Sequence, residues 1–133
     1  QTFVTNNIGS ATEVVIIYYS SIGLEAFQYK DALTSITIGN SVTSIGNFAF
    51  DGCRALTSIT IPKFVTSIGQ QVFSDCVELT QINVDVGNVN YSSNDGVLFN
   101  KQETTLIQCP EKKTGSYTIP NSVVSIVDQA FNW

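Results

Sequence analysis

The same six residues, Leu-Thr-Ser-Ile-Thr-Ile, occur at positions 33–38 and again at 56–61, so an identical stretch recurs at an interval of 23 positions. Apolar residues keep the same interval through much of the chain and form columns of matching positions. The columns are Ile22, Ile45 and Ile68; Phe27, Phe50 and Phe73; Leu33, Leu56 and Leu79; Ile36, Ile59 and Ile82; Ile38, Ile61 and Val84; and Val42 and Val65. A fixed period of roughly 20 to 50 residues is typical of solenoids, in which a unit buries its apolar side chains only against its neighbours. The repeat therefore predicts a core of stacked turns.

Each repeat divides into two extended pieces and a short connection. The pattern Leu-x-x-Ile-x-Ile alternates apolar and polar residues at its end, as a half-buried strand does, and Gly39 or Pro62 ends it. A second, shorter extended piece has the pattern Val-x-Ser-Ile. The segments that follow, at 46–50 and 69–73, are too short for an independent helix, so we expect a single helical turn or a 3₁₀ piece there.

After an insertion, the C-terminal part of the chain returns to the pattern of the repeat. Ile126 matches Ile68, and the interval between them is two periods of 23 plus an extra 12 positions. We therefore predict a single solenoid domain over residues 1–133. Its parts are a divergent first turn at 12–21, three 23-residue repeats at 22–84, an expanded turn at 85–125 with a β-hairpin at about 95–109, and a truncated last repeat at 126–133.

Two expectations concern the last repeat. It has no polar capping unit, and since solenoids need capped ends, we expect the native chain to continue and to associate end to end through Ile126, Phe131 and Trp133. Val127 also stands where the other repeats have glycine. Because a β-branched residue strongly disfavours positive φ, we expect the glycines to serve close packing or a turn preference rather than a forbidden dihedral. These glycines are Gly23, Gly46 and Gly69.

Composition excludes several classes of function. The chain has no His, the commonest general base, and its 11 acidic residues are dispersed over several turns, so we predict no enzyme. The 6 basic residues are scattered and the net charge is −5, which argues against a nucleic-acid partner. No apolar run approaches the roughly 20 residues of a membrane-spanning helix. Segment 85–96 has the composition of a calcium loop without its ligand spacing, and we predict no metal and no cofactor.

The columns resemble the BspA-type leucine-rich repeat, whose pattern runs Leu-x-x-Ile-x-Ile-Pro, Val-x-x-Ile-Gly, Ala-Phe and Gly-Cys. Residues 33–62 carry this pattern. The expanded turn resembles a recurrent variant of the family, with Asn-Tyr at 90–91, Asp-Gly-Val-Leu-Phe at 95–99 and Tyr-Thr-Ile-Pro at 117–120. The resemblance covers roughly residues 12–131. The departures, none of which breaks the core pattern, are Lys30, Gly39, Val72 and Val127.

The resemblance implies a right-handed leucine-rich-repeat solenoid, mostly β with short helical or 3₁₀ turns and with parallel strands on its concave face. It also implies a secreted or cell-surface location. Characterised members of the family are adhesins that bind host extracellular proteins or other cells. The family has no shared catalytic residues to transfer to this chain.

Polar residues that alternate with the core positions of the strands form the first candidate binding face. They point outward, and stacking aligns them in two rows. They are Ser35, Thr37, Ser58, Thr60, Gln81 and Asn83, continued by Ser116 and Thr118 on the last strand. Extended concave surfaces are what solenoids offer to partners. The alternative is a solvated sheet face without a ligand.

The expanded turn is the second candidate. Its two apolar stretches read as a β-hairpin that leaves the solenoid, entered by a turn at 94–96. Insertions in repeat arrays often map to a binding face, and lysines give this region local positive charge. The candidate contacts are Lys101, Gln102, Glu103, Lys112 and Lys113. We favour the alternative, a hairpin packed on the solenoid by Val97, Phe99, Leu106 and Ile107.

Cys53 and Cys76 lie one period apart, which allows either a ladder disulfide between adjacent turns or two buried thiols. In the first repeat Lys30 stands where this column would have a cysteine, and Cys109 has no partner in the column. We therefore favour buried thiols.

These observations favour a non-catalytic protein-binding or adhesion module of a secreted or cell-surface protein. Its partner would be a protein or another cell-surface ligand, of which an extracellular matrix protein is one type. The alternative is a set of structural spacer repeats whose ligand site lies elsewhere in a larger surface protein.

Overall fold

A computed structural model describes residues 1–3 and 8–131, and within them it contains twelve strands and no helix. The strands are β1 (Thr2–Phe3), β2 (Glu13–Ile16), β3 (Ser21–Ile22), β4 (Ser35–Ile38), β5 (Ser44–Ile45), β6 (Ser58–Ile61), β7 (Ser67–Ile68), β8 (Gln81–Val84), β9 (Tyr91–Asn94), β10 (Val97–Asn100), β11 (Thr105–Gln108) and β12 (Ser125–Ile126). Strands one repeat apart pair in parallel, which confirms the predicted solenoid of stacked turns.

Longer and shorter strands form two separate rows. Among the longer ones, β2 pairs with β4 and β6 pairs with β8, with Glu13 opposite Ser35 and Ser58 opposite Gln81. The shorter strands β1, β3, β5 and β7 form one continuous parallel sheet. A turn therefore contributes one strand to each row, and the apolar side of both rows faces the core between them.

β4 lies against β6 without a hydrogen-bonded ladder between them. In the preceding turn the N–H of Gly39 donates to the Ile16 carbonyl oxygen at 2.7 Å. Pro62 occupies the equivalent place one repeat later, and it has no N–H to donate. The proline of the repeat therefore removes one backbone hydrogen bond between the longer strands at this position.

The outward loops that follow the shorter strands are turns, so the expected helical or 3₁₀ piece is wrong. We call these loops arcs; they span residues 23–31, 46–54, 69–77 and 127–131. Glu25, Phe48 and Gln71 occupy matching positions and have φ of 56°, 58° and 52°. A left-handed residue interrupts a right-handed helix. Arc N–H groups instead reach the next turn, as when Phe27 donates to the Ala49 carbonyl oxygen at 2.7 Å.

Aromatic rings in the core form a continuous stack along the solenoid. The centroids of Phe3 and Phe27 are 4.9 Å apart, those of Phe27 and Phe50 5.3 Å, and those of Phe50 and Phe73 5.9 Å, with rings within 8° of parallel. Three of these residues are the predicted phenylalanine column. Phe3 was not predicted, because its spacing from Phe27 is one position longer than the strict period.

All three cysteines are free and buried. The thiols of Cys53 and Cys76 donate to the carbonyl oxygens of Phe27 and Phe50, each at 3.1 Å. Burial away from water raises the pKa of the Cys53 thiol to about 12, because the charged thiolate loses its hydration. The structure thus has the buried thiols that the sequence favoured.

The expanded turn folds as a three-stranded antiparallel meander of β9, β10 and β11. Asp95 and Gly96 join β9 to β10 and both have positive φ, as a type I′ turn requires. The hairpin of β10 and β11 was expected from the sequence, whereas β9 was not. Val97, Leu98 and Phe99 are all fully buried, so β10 is part of the core on both of its faces.

Asn88 occupies the core position that Val65 holds one repeat earlier, and it is also fully buried. Its Nδ2 donates to the carbonyl oxygens of Pro62 and Val65, each at 3.0 Å. Its Oδ1 accepts from the N–H groups of Asn90 and Tyr91 at 2.7 and 2.8 Å. The amide is therefore fully satisfied, and it directs the chain out of the regular repeat into the meander.

Candidate functional site

The longer strands present their polar residues to solvent, and we call this surface the long-strand face. Ser35, Thr37, Ser58, Thr60 and Gln81 are exposed, and Asn83 is half-buried. Strand register aligns them in the two expected rows, with Ser58 beside Gln81 and Thr60 beside Asn83. The alternation of the strand thus separates three core residues per turn from two that are available for contact.

Ser116 and Thr118 do not extend these rows. Both are exposed, but residues 113–124 contain no strand, so the last strand expected there is absent. The parallel partner of β12 is β11 of the meander, which places Thr105 opposite Ser125. The chain from Pro110 to Pro120 therefore runs as an irregular connection over the end of the face.

The first end of the long-strand face is apolar. Val15 lies opposite Thr37 in the register and is 61% exposed, and Ile17 and Tyr18 beyond it are 55% and 86% exposed. Clustered exposed apolar side chains of this kind mark interaction surfaces more often than isolated ones do. Residues 12–21 were predicted to form a divergent first turn, and their outward side chains were not predicted to extend the face.

The opposite end of the face contains a polar pocket of about 430 Å³. It brings together residues from both predicted candidate sets, namely Gln81 and Asn83 of the face and Lys112 and Lys113 of the expanded turn. The side-chain amides of Gln81 and Asn83 are themselves linked, since Nδ2 of Asn83 donates to Oε1 of Gln81 at 3.2 Å. The remaining lining residues are Thr80, Ser93, Asp95, Gly96 and Thr114.

The positive charge expected at this place is paired with carboxylates. Lys112 forms an ion pair with Glu78, and Lys113 forms one with Asp95, with a distance of 3.0 Å from Nζ to Oδ2. The Lys113 side chain is only 14% exposed, and its ammonium lies 5.1 Å from the centre of the Tyr117 ring. The pocket therefore offers amide, hydroxyl and ammonium donors without a strong net field.

The other three insertion residues lie apart from this pocket. Lys101, Gln102 and Glu103 form the turn between β10 and β11, and none of them lines the pocket. Oε1 of Glu103 accepts from Nδ2 of Asn94 at 3.0 Å, which ties this turn to the end of β9. The structure thus divides the predicted insertion contacts into a pair beside the face and a group at the hairpin tip.

A second concavity of about 590 Å³ lies between the arc at 69–77 and the arc at 127–131. Its floor includes the apolar side chains of Leu98 and Ile107 from the meander. Sequence reasoning missed it, and the signal that could have found it is the break of the columns after Val84, where the meander replaces a regular turn.

Two classes of site lack support in the described part of the chain. Residues 1–3 and 8–131 contain no group of three or more Cys, Asp or Glu side chains placed to hold a metal ion. No helix long and apolar enough to cross a membrane occurs in the same residues. At the apolar edge expected in the last repeat, Ile126 and Phe131 are 48% and 38% exposed, and Trp133 lies outside the described residues.

Comparison with known proteins gives a family and three solved structures. A model of the BspA type leucine-rich repeat region matches residues 20–131 in six copies. No curated protein matches the chain. The structure is similar to that of the pneumococcal vaccine antigen PcpA, with a TM-score of 0.84, 31% identity, and coverage of 90% of this chain and 31% of the antigen.

A leucine-rich cell surface protein from Faecalibacterium prausnitzii A2-165 is similar with a TM-score of 0.75 and 34% identity, over 84% of this chain and 30% of that protein. A leucine-rich repeat protein from Eubacterium ventriosum ATCC 27560 gives a TM-score of 0.56 and 27% identity, over 90% of this chain and 44% of that protein. The chain therefore spans less than half the length of each of these structures.

Proposed function

The chain belongs to the BspA-type leucine-rich repeat family, and from this premise we propose that it is a non-catalytic binding module of a secreted or cell-surface protein. A surface location is supported by the similarity to a protein described as a leucine-rich cell surface protein. We propose that the partner is a protein or another macromolecule of a cell surface, with extracellular matrix proteins as the first class to test.

The observation that carries the proposal is the layout of the long-strand face. Exposed Val15, Ile17 and Tyr18 lie at one end, rows of small hydroxyl residues follow, and the polar pocket lies at the other end. A surface that is apolar over one part and rich in hydrogen-bond donors over another suits a protein partner, because affinity comes from buried apolar anchors and specificity from polar contacts. Small side chains between them let a partner approach the sheet closely.

The ion pairs at the pocket favour a neutral or mixed polar partner group over a highly charged one. Since Glu78 and Asp95 already pair with Lys112 and Lys113, an acidic partner would have to displace a carboxylate to gain contact. We therefore propose that Gln81 and Asn83 supply the hydrogen bonds at this end, and that the lysines hold the connection at 110–120 in place.

Surface plasmon resonance tests this function. A panel of purified extracellular matrix proteins is passed over the immobilised domain, and we expect at least one to bind at micromolar concentration. Tyr18→Asp removes an apolar anchor and should weaken that binding, whereas Val124→Asp, which adds the same charge at a residue that is 84% exposed on the shorter-strand side, should not. Lack of binding by the whole panel, or equal loss in both variants, would contradict the proposal.

The spacer function is the second candidate, and it is favoured by the small share of each solved relative that the chain covers. It predicts that binding by a longer form of the protein is insensitive to changes on the long-strand face. Comparing Tyr18→Asp in the isolated domain and in the longer protein separates the two functions.

A further inference from the structure

We number the turns by their arcs, so that the arcs at 23–31, 46–54 and 69–77 belong to the first three turns and β11 belongs to the fourth. This fourth turn lacks a complete arc. The register of β11 and β12 places Leu106 opposite Ile126, so Leu106 holds the position of Ile68 in the turn before. The N–H of Cys109 donates to the Ala130 carbonyl oxygen at 2.9 Å, as Phe50 donates to Val72 two turns earlier at 3.0 Å. Cys109 therefore holds the position of a column phenylalanine.

The chain of the fourth turn takes a shorter path between these two positions. It passes from Leu106 to Cys109 in three steps, whereas every regular turn takes five, as from Ile68 to Phe73. Two residues of the arc are missing, and the chain cuts across the inside. The second concavity, which we call the arc cleft, is the space that the missing residues would fill.

The arc cleft leaves backbone donors of the third turn without acceptors. In the complete arcs, the N–H groups of Phe48 and Phe50 donate to the carbonyl oxygens of Gln70 and Val72 at 3.0 Å. Gln71 and Phe73 are the next members of this series and line the cleft. Their N–H groups have no acceptor among the described residues.

The opposite wall of the cleft presents the complementary group. In the arcs at 46–54 and 69–77, the carbonyl oxygen before the left-handed residue accepts a bond from the turn below, as Asn47 accepts from Glu25 at 2.9 Å. Asp128 precedes Gln129, which has φ of 67°, and its carbonyl oxygen has no donor in the described part of the chain. The cleft therefore has two N–H donors on one wall and a carbonyl acceptor on the other.

We propose that the arc cleft binds a short extended peptide segment of a partner protein, which completes the ladder of the fourth turn. Two carbonyl oxygens of the peptide accept from Gln71 and Phe73, and the N–H between them donates to the Asp128 carbonyl oxygen. An exposed edge of unpaired backbone groups is the usual docking place for an added strand. The cleft volume of about 590 Å³ lies within the range of ligand pockets.

The side chains of the cleft define the chemistry of the peptide. Leu98 and Ile107 form an apolar floor, which suits one aliphatic side chain of the peptide. Asp128 is the single charged residue among those that line the cleft, and it is exposed at the rim. A lysine or arginine next to the aliphatic residue gives charge complementarity there. The cleft shares no lining residue with the polar pocket of the long-strand face, so the two sites are distinct.

Val127 supports this interpretation of the cleft. In the complete arcs the matching residues are Gly46 and Gly69, where a Cβ would lie within 3 Å of the preceding arc. Val127 lines the cleft instead, with no complete arc beneath it. The one β-branched residue in the glycine column thus stands where the cleft opens.

Amide hydrogen exchange measured by NMR tests the proposal with a blocked pentapeptide, acetyl-Gly-Ala-Val-Lys-Gly-amide, at millimolar concentration. We expect slower exchange at Gln71 and Phe73 and no change at Phe27 and Phe50, whose N–H groups are already bonded. Methylation of the central peptide nitrogen, which removes its N–H, should abolish the effect. Unchanged exchange at Gln71 and Phe73 with the unmodified peptide would overturn the proposal.

Two variants of the protein separate specific docking from general adsorption. Asp128→Lys should weaken peptide binding by about threefold or more, whereas Glu25→Lys, the same charge change on a complete arc, should leave it unchanged. Insertion of Gly-Asn after Ile107 restores the arc length and should protect Gln71 and Phe73 without any peptide. Equal binding by Asp128→Lys and Glu25→Lys would contradict the proposed contact. The proposed binding of matrix proteins to the long-strand face is tested separately, because the arc cleft and the polar pocket of that face share no lining residue.

Discussion

Gly69 packs on Gly46 so closely that a Cβ on Gly69 would lie 2.8 Å from the carbonyl carbon of Gly46. Neither glycine has positive φ, so it is the space between turns, and not the backbone dihedral, that requires glycine here. This confirms the expectation drawn from Val127 in the sequence. It also means that the distance between adjacent arcs is set by a contact that any side chain would disturb.

The glycine contact predicts a stability difference within one column. Gly69→Ala should destabilise the domain by about 1–3 kcal/mol, because a methyl group has to force two arcs apart. Val127→Gly should change the free energy of unfolding by less than about 1 kcal/mol, since the arc beneath it is incomplete. Urea denaturation measures both. A greater loss for Val127→Gly than for Gly69→Ala would show that the column does not act through packing.

The stack of phenylalanine rings predicts a large loss of stability when a ring in the middle of the core is removed. Phe50→Ala should reduce the free energy of unfolding by about 3–5 kcal/mol, because it empties a fully buried site between two parallel rings. Phe64→Ala is the matched control, since Phe64 is 54% exposed and should change stability by no more than about 0.5 kcal/mol. Similar losses in both variants would contradict the assigned core.

The hydrogen bonds of the buried Asn88 amide predict that this side chain stabilises the start of the meander. Asn88→Val fills the column as Val65 does, yet leaves the carbonyl oxygens of Pro62 and Val65 without donors, so we expect a loss of about 1–3 kcal/mol. Hydrogen exchange at the N–H groups of Asn90 and Tyr91 should accelerate, because both lose their acceptor. A variant as stable as the parent, with unchanged exchange, would exclude this role.

The raised pKa of Cys53 predicts a pH dependence at alkaline pH. The folded thiol has a pKa of about 12 against an ordinary value of 9.0, so the unfolded chain loses this proton first as pH rises. The stabilising contribution is complete below about pH 9 and is lost between about pH 9 and 12. Cys53→Ala should show a smaller loss of stability over that range in urea titrations. Rapid alkylation of Cys53 in the folded domain at neutral pH would contradict the burial of this thiol.

The regular part of the fold could be predicted because every turn repeats the same contacts. Ile45 has Ile22 on one side and Ile68 on the other, so a single period in the sequence determines its register in three dimensions. Outward residues such as Thr37 and Thr60 followed from strand alternation alone. The arcs were mispredicted because a positive φ at Glu25 or Phe48, neither of which is glycine, has no strong signal in the sequence.

The site could be predicted only in part. The pairing of Lys112 with Glu78 depends on where an irregular connection passes the residues before β8, and no periodicity fixes that path. The arc cleft depends on a shortcut of two residues between Leu106 and Cys109, which becomes visible only when the register of β11 is known. Asn88 lies one full period after Val65, but a polar residue in an apolar column does not by itself indicate burial, which here depends on four hydrogen bonds to the backbone.

The binding of one matrix protein to two double variants decides whether the long-strand face is the binding surface. Thr37→Arg with Thr60→Arg places two long side chains on the long-strand face, and Thr43→Arg with Thr66→Arg adds the same charge at exposed residues one repeat apart, next to the shorter strands. Surface plasmon resonance should give a dissociation constant raised at least about tenfold, or about 1.4 kcal/mol, for the first variant only. Equal dissociation constants for the two variants would contradict binding through this face.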